Sequence, residues 1–245
     1  MIKIKNLKVK VWDKKILKWI DLKFELWNNY CILWKNGSWK SSLASVLAWN
    51  PKYEVVSWKV TIDSKDLLSM SPEERSNLWL FLSFQNVPEI KWINLNEYLR
   101  VIYNAHLKNE KNDVRELSPF LFKRFIKKYL NDLHIEEDFL NRELNVGFSW
   151  WEKRKIEILQ MKLIWPKYII LDEIDSWLDL DAFKTIAFML KELSSENNSF
   201  IIITHYFKIL DFLDIDKVYV FKKWKVVEEG DKNLALKISE EGFGK

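Results

Sequence analysis

Glycine is the residue that this sequence lacks most clearly, with five in 245 residues where the usual share is about 7%. Cysteine is almost absent as well. The single Cys31 cannot form an internal disulfide, which favours a reducing cytoplasm. Together with three histidines, one cysteine is also too few to ligate an iron–sulphur cluster within one chain.

Long apolar runs and an excess of one charge are missing too. No run of 18 apolar residues occurs, so we expect no membrane-spanning helix, and no signal peptide precedes Ile2. Lys and Arg number 39 against 35 Asp and Glu, which gives a net charge of +4. This balance favours neither a nucleic-acid surface nor a polybasic membrane anchor. We therefore expect a cytoplasmic protein that binds no nucleic acid and does not insert directly into membranes.

Tryptophan, in contrast, is abundant and stands where glycine is usual. The chain has 14 tryptophans. Trp27 leads a turn, Trp49 follows an expected helix shortly before Pro51, and Trp224 separates two strand-like runs where a hairpin favours glycine. The five glycines and 14 tryptophans together make 19 residues, close to the usual glycine share of about 7%. We interpret most or all of the tryptophans as glycines of the native protein. Some bacterial lineages read the UGA codon as glycine, and a translation that reads UGA as tryptophan would produce this pattern.

The segment after the apolar run 30–33 has the spacing of a phosphate-binding loop. That pattern, G-x-x-x-x-G-K-[ST] between a strand and a helix, wraps backbone N–H groups and a lysine around phosphates and places a hydroxyl on Mg²⁺. Both flanking glycines are tryptophan here, and the indole of Trp39 would stand in place of a phosphate. With glycine restored, the predicted nucleotide-binding residues are Trp34, Lys35, Asn36, Gly37, Ser38, Trp39, Lys40, Ser41 and Ser42.

Two acids end the apolar run 168–171. Asp172 is predicted to support Mg²⁺ and Glu173 to polarise the attacking water, as in other P-loop ATPases. The alternative is a pair of solvated acids at a strand end. Because the carboxyl ends of parallel strands share one edge of the sheet, we expect the pair to lie beside the phosphate loop.

A third motif opens a predicted helix just before the acid pair. Its residues are Phe148, Ser149, Trp150, Trp151 and Glu152. With glycine at 150 and 151 the string becomes F-S-G-G-E, which resembles the signature motif of ABC-type ATPases. In that family the helix N-terminus, an anion site, caps the γ-phosphate of the ATP held by the opposite subunit. An ordinary serine cap is the alternative, but it does not explain two adjacent tryptophans.

The resemblance assigns further residues in chain order. Gln85 is similar to the glutamine that senses Mg²⁺ and couples the helical lobe to the core, and His205 to the switch histidine that contacts the γ-phosphate. The loop after the acid pair is similar to the dimer-contacting loop, with residues Ser176, Trp177, Leu178 and Asp179. The resemblance thus implies Glu173, His205 and Gln85 as catalytic residues and ATP and Mg²⁺ as cofactors. It implies Ser41, Asp172 and Gln85 at the metal.

Longer strings narrow the resemblance to the ATPase subunits of the SUF iron–sulphur cluster assembly system. They cover 84–85, 89–90, 144–149, 158–161, 171–182, 204–206 and 209–211. A transporter ATPase usually has L-S-G-G-Q instead of F-S-G-G-E. The resemblance implies that two copies close on ATP and remodel scaffold partners of the SufB and SufD type, which would hold the cluster. Two alternatives stay open: the ATPase subunit of a membrane ABC transporter and, if the tryptophans are genuine, an inactive scaffold protein.

Buried apolar runs that alternate with helical stretches predict an α/β fold with a mostly parallel core sheet. The resemblance adds a P-loop ABC ATPase architecture with an antiparallel β subdomain and an inserted helical lobe. Expected strands cover 2–7, 20–26, 30–33, 59–62, 80–85, 168–171 and 200–204, and a hairpin is expected over 218–227. One expected helix begins at Ser71. Three more are expected over 152–164, 178–193 and 232–241. We predict one domain over 1–245, with 1–86 and 165–245 as nucleotide-binding core and about 87–164 as helical lobe. We assign five residues at helix-like spacing to the lobe's core, with the alternative that some of the aromatics face a partner: Phe120, Phe122, Phe125, Tyr129 and Leu133.

Overall fold

The computed structural model describes residues 1–12, 14–34, 40–48, 50–111, 114–174, 179–194, 197–204, 207–222 and 225–243. Its strands are β1 Ile2–Val11, β2 Lys14–Phe24, β3 Tyr30–Trp34, β4 Glu54–Ile62, β5 Lys65–Asp66, β6 Leu80–Ser83, β7 Ile90–Asn94, β8 Glu143–Leu144, β9 Tyr168–Asp172, β10 Ser199–Thr204, β11 Lys217–Lys222 and β12 Lys225–Gly230. Its α-helices are α1 Lys40–Leu47, α2 Pro72–Asn77, α3 Leu95–Glu110, α4 Pro119–Asp132, α5 Trp150–Ile164, α6 Leu180–Leu193 and α7 Lys232–Glu241.

The chain divides into two compact units. The first comprises Met1–Gln85, Pro166–Ser176 and Ser194–Lys245, and the second comprises Asn86–Trp165 and Trp177–Leu193. Helix α6 therefore groups with the second unit. The sequence-based division into 1–86 with 165–245 and about 87–164 stays a prediction.

A six-stranded sheet forms the centre of the first unit, with the strand order β12-β11-β3-β10-β9-β6. The strands from β11 to β6 pair in parallel, and β12 pairs antiparallel with β11. Every residue of β3, β9 and β10 is buried. Burial on both faces explains why these strands have continuous apolar runs without alternation. The predicted mostly parallel core sheet is confirmed.

The first unit also contains an antiparallel sheet of order β2-β1-β4-β5. Alternate apolar residues of β1 are buried, among them Ile2 and Ile4. Strands β2 and β4 begin earlier than the sequence predicts because both pair along the far half of β1, with Val11 opposite Lys14 and Lys10 opposite Glu54. The predicted antiparallel β subdomain is confirmed, with longer strands.

The second unit contains helices α3 to α6 and the short sheet formed by β7 and β8. Of the predicted core residues, Phe122 and Leu133 are buried, whereas Phe120 is 79% exposed. The prediction for Phe120 is wrong because α4 buries positions 122, 126 and 130, and residues two apart do not share a helix face. Strand β7 was not predicted, since all five of its residues are exposed and show no core pattern.

Candidate active site

Three chain segments with predicted site residues lie at the carboxyl edge of the six-stranded sheet. Strand β3 leads into the predicted phosphate loop, β9 ends in the acid pair, and β6 leads to Gln85. The register places Ser83 of β6 opposite Leu171, and Ile203 of β10 opposite Asp172. As expected for parallel strands, the sheet therefore brings the acid pair and Gln85 to one edge.

Gln85 and Glu173 contact each other directly at this edge. Each lies two residues beyond the paired Ser83 and Leu171, so the register brings them opposite one another. The Gln85 Nε2 amide donates a hydrogen bond to the Glu173 carboxylate. Glu173 is buried and has a left-handed backbone with φ 49°. Its N–H donates to the Ile203 carbonyl at 2.9 Å, which fixes the acid between β9 and β10.

Helix α1 begins where the phosphate pattern requires a helix N-terminus, at Lys40. Its inward face is buried and it packs against β9. The hydroxyl of Ser42 is buried and has no hydrogen-bond partner among the described residues. That donor is therefore left for a bound phosphate or for the loop. The predicted loop residues Lys35, Asn36, Gly37, Ser38 and Trp39 lie outside the described residues, as do the side chains of Lys40 and Ser41.

Arg75 holds the other end of α1, and sequence reasoning missed it. Its guanidinium is buried and donates to the carbonyls of Val46 and Leu47 at 2.8 and 2.9 Å and to Met70 at 3.1 Å. Burial lowers the pKa of Arg75 to about 10, and Asp66 opposes that shift. A cation at a helix C-terminus satisfies the last carbonyls and the negative end of the helix dipole. The available signal was an arginine in the short helix that follows the Ser71 cap.

The predicted signature motif begins α5. Ser149 is the N-cap: its hydroxyl accepts from the Glu152 N–H at 3.3 Å, and the Glu152 carboxylate accepts from the Ser149 N–H at 2.6 Å. This reciprocal capping box confirms the serine cap. Phe148 is buried against Phe139, with ring centroids 5.0 Å apart. The motif therefore has a fixed helix N-terminus, the feature that an anion site needs.

The two tryptophans of this motif lie under basic side chains. The Arg154 guanidinium is 4.3 Å from the centre of the Trp150 ring, and the Lys155 ammonium is 5.1 Å from that of Trp151. Arg154 also forms a buried ion pair with Glu157, one turn along α5. Sequence reasoning missed this pair, whose only signal is two opposite charges three residues apart in a predicted helix.

Of the predicted dimer loop and the predicted switch histidine, the structure describes only Asp179. Asp179 precedes α6 and its carboxylate accepts from the N–H groups of Asp181 and Ala182 at 3.1 and 2.8 Å, which makes it a helix cap. Ser176, Trp177 and Leu178 of the predicted dimer loop lie outside the described residues, and so does His205. Their predicted roles stay predictions.

The donor set of the sheet edge fits Mg²⁺ and a nucleotide. Asp172 and Gln85 offer oxygen ligands, which Mg²⁺ prefers, and Mg²⁺ usually keeps several waters. Within the described ranges no cluster of three or more His, Cys, Asp and Glu side chains could hold a metal by itself. A cation that shares its coordination with phosphate and water does not need such a cluster.

The chain is similar over nearly its whole length to known proteins. No protein-family model matches it. The probable ATP-dependent transporter SufC of Escherichia coli strain K12 is 38% identical over 244 residues, which cover 100% of this chain and 98% of that one. The chain belongs to the SufC family of ABC-type ATPases. A second family member, the iron-sulfur cluster assembly protein SufC of Plasmodium falciparum isolate 3D7, is 36% identical over 231 residues, 94% of this chain and 66% of that one.

The fold agrees with membership of the SufC family. The structure of the dimeric ATP-binding cassette MJ0796, in a post-hydrolysis state bound to ADP and Pi, matches with a TM-score of 0.75. The match covers 95% of this chain and 99% of that one at 19% sequence identity. The predicted P-loop ABC ATPase fold is confirmed. Among the described residues no helix combines the length and apolarity needed to cross a bilayer.

Proposed function

We propose that this chain is the ATP-hydrolysing subunit of an iron–sulphur cluster assembly complex, with ATP and Mg²⁺ as cofactors. Full-length similarity to SufC proteins supports this function. The structural observation that carries it is the contact between Gln85 and the buried Glu173 at the carboxyl edge of the core sheet. ATP hydrolysis requires glycine in place of Trp34, Trp39, Trp150 and Trp151, because these positions belong to the two motifs whose backbone N–H groups approach phosphates closely.

Different residues at the sheet edge bind the phosphates and Mg²⁺. The loop 34–42 surrounds the phosphates with N–H groups, and Lys40 neutralises the β- and γ-phosphate oxygens. Ser41, Asp172 and Gln85 would hold Mg²⁺, which when bound would offset the charge on the transferring phosphoryl group. Arg75 keeps α1, and with it the positive end of the helix dipole, at the phosphates.

Glu173 orients and polarises the attacking water, and His205 contacts the γ-phosphate. Phosphoryl transfer leaves little covalent chemistry to the protein, so positioning and electrostatics supply most of the acceleration. The fixed backbone of Glu173 and its hydrogen bond from Gln85 provide that positioning. Gln85 acts on the reaction through the orientation of the Glu173 carboxylate.

A second copy completes each site. The N-terminus of α5, with Ser149 and the residues at 150 and 151, caps the γ-phosphate held by the other copy, and the loop 176–179 contacts that copy. Closure then moves scaffold partners of the SufB and SufD type in the cytoplasm. The competing function is that of a membrane transporter subunit, because the Escherichia coli relative is named a probable ATP-dependent transporter.

ATP turnover by a Glu173→Gln variant tests the proposal, in the protein with glycine at the tryptophan positions. The amide cannot polarise water, so we expect hydrolysis to fall at least 100-fold while ATP binding stays. Glu240→Gln, an exposed acid on α7, is the matched control and should keep full activity. Equal activity of the two variants would remove Glu173 from the mechanism, and a parent protein without ATPase activity would overturn the function.

Co-expression tests the partner. We expect a stable complex with SufB- and SufD-type proteins in size-exclusion chromatography without detergent. A complex that forms only with integral membrane proteins would favour the transporter function instead.

A further inference from the structure

Six tryptophans have a backbone conformation that tryptophan rarely adopts. Their φ angles lie between 45° and 76°, the left-handed region in which a bulky side chain is a genuine outlier and glycine is at ease. The six are Trp12, Trp19, Trp27, Trp79, Trp92 and Trp165. Most of the other left-handed residues are Asn, Asp or His, which are enriched there. True glycines of this chain also use the conformation: Gly147 has φ 65° and Gly242 has φ 76°.

The same residues are unusual in their exposure. Five of the six have between 55% and 91% of their surface exposed, Trp79 being the exception. Tryptophan normally buries a large apolar area and dominates the packing where it occurs. The five exposed indoles add almost nothing to the core, so a residue without a side chain would serve those five positions equally well.

Two of these tryptophans follow the end of a helix, where glycine is common. Trp165 ends α5 in the left-handed conformation, donates its N–H to the Met161 carbonyl at 3.0 Å, and precedes Pro166. This is the helix-ending position at which glycine is strongly preferred. Trp79 follows α2 and donates its N–H to the Ser76 carbonyl at 2.9 Å.

Two further tryptophans, Trp34 and Trp150, have an indole N–H group that is unpaired within the described ranges. The indole N–H groups of Trp34 and Trp150 are buried, and neither has a hydrogen-bond partner in the described part of the chain. A buried tryptophan usually finds a partner for this group, and an orphaned donor loses its hydration without compensation. Trp34 belongs to the predicted phosphate loop and Trp150 to the signature motif, so the defect falls on the two motifs that need glycine.

We infer that the functional chain carries glycine at these eight positions. Because one reassigned codon would encode all of them, we extend the inference to the other tryptophans of the chain. A single reassigned codon explains why the misfits share one residue type although they lie in turns, helix ends and buried sites. The inference rests on backbone angles, exposure and unpaired indoles, and it stands whether or not the protein hydrolyses ATP.

Mass spectrometry of tryptic peptides from the native cells tests it directly. The peptides 24–35, 92–100 and 163–167 cover Trp27, Trp34, Trp92 and Trp165, and 143–153 covers the signature motif. We expect glycine in each. Tryptophan at any of the left-handed positions would overturn the inference. Glycine in all peptides from a protein without ATPase activity would overturn the proposed function alone.

Stability measurements test the backbone argument separately. In the protein with glycine at the other tryptophan positions, we compare Trp165→Gly with Trp165→Ala. Because alanine is strained in the left-handed conformation, we expect a Tm about 2–4 °C lower for alanine. Trp151→Gly against Trp151→Ala is the control, since position 151 is helical and should favour alanine. Equal Tm values for the two variants at 165 would contradict the glycine role there.

Discussion

At the scale of single residues, the contact between Gln85 and Glu173 shows how strand register creates a site. Neither residue belongs to a strand, yet each follows its strand by the number of residues that brings the two side chains together. A buried carboxylate is stable when hydrogen bonds satisfy it. The amide of Gln85 supplies one such bond, so the two residues form one positioning unit.

We therefore expect Gln85→Ala to lower kcat by about 100-fold, because small misplacements of a catalytic group cost that much. The measurement is steady-state ATP turnover in the glycine form of the protein. Gln160→Ala is the control, since Gln160 is also buried and accepts a hydrogen bond from Tyr98 at 3.2 Å within the second unit. A drop of the same size in both variants would mean that the loss comes from general destabilisation.

At the scale of elements, α1 depends on Arg75 at its C-terminus. We expect Arg75→Leu to lower the free energy of unfolding by about 2–3 kcal/mol, because three carbonyls lose a charged donor and two of these bonds lie in a buried site. Urea denaturation measures this change. Arg124→Leu, at an exposed position of α4, should change it by less than about 0.5 kcal/mol. A similar loss in both variants would contradict the anchoring role of Arg75.

The capping box of α5 separates a structural from a functional role of Ser149. Aspartate caps helices as well as serine does, so Ser149→Asp should keep the Tm. Its carboxylate would however repel the γ-phosphate that the helix N-terminus is proposed to bind, and ATPase activity should fall at least 10-fold. Ser71→Asp is the matched control, because Ser71 forms the same capping box in α2. Full activity of Ser149→Asp would restrict Ser149 to a cap.

At the scale of the whole molecule, the sequence predicted the elements with strong local patterns. The helix over 232–241 and the buried strands around 168–171 and 200–204 occur as expected. The strands that the sequence predicted poorly are those whose extent depends on pairing with another strand or whose residues are exposed. Strands β2 and β4 were predicted too short because long antiparallel partners extend them, and β7 was missed because its residues are exposed.

The candidate site follows the same division. Strand-end patterns predicted Asp172 and Glu173, and the family resemblance implied Gln85 and Ser149. The structure brings Gln85 and Glu173 together, and the functional roles of all four residues stay predictions. Neither route could find Arg75, whose role depends on carbonyls 28 and 29 residues away. Long-range side-chain contacts of this kind leave no periodic signal in a sequence.

The proposed assembly of two copies makes a prediction that no single variant can test. Each site would combine Glu173 of one copy with Ser149 of the other, so Ser149→Asp and Glu173→Gln chains should each be at least 10-fold less active than the parent when alone. In a mixture, each dimer of unlike copies has one intact site, and about a quarter of all sites are intact if copies pair at random. ATP turnover should therefore partly recover on mixing. The control mixture pairs Glu173→Gln with the double variant and has no intact site. No recovery in the first mixture would contradict a site shared between copies.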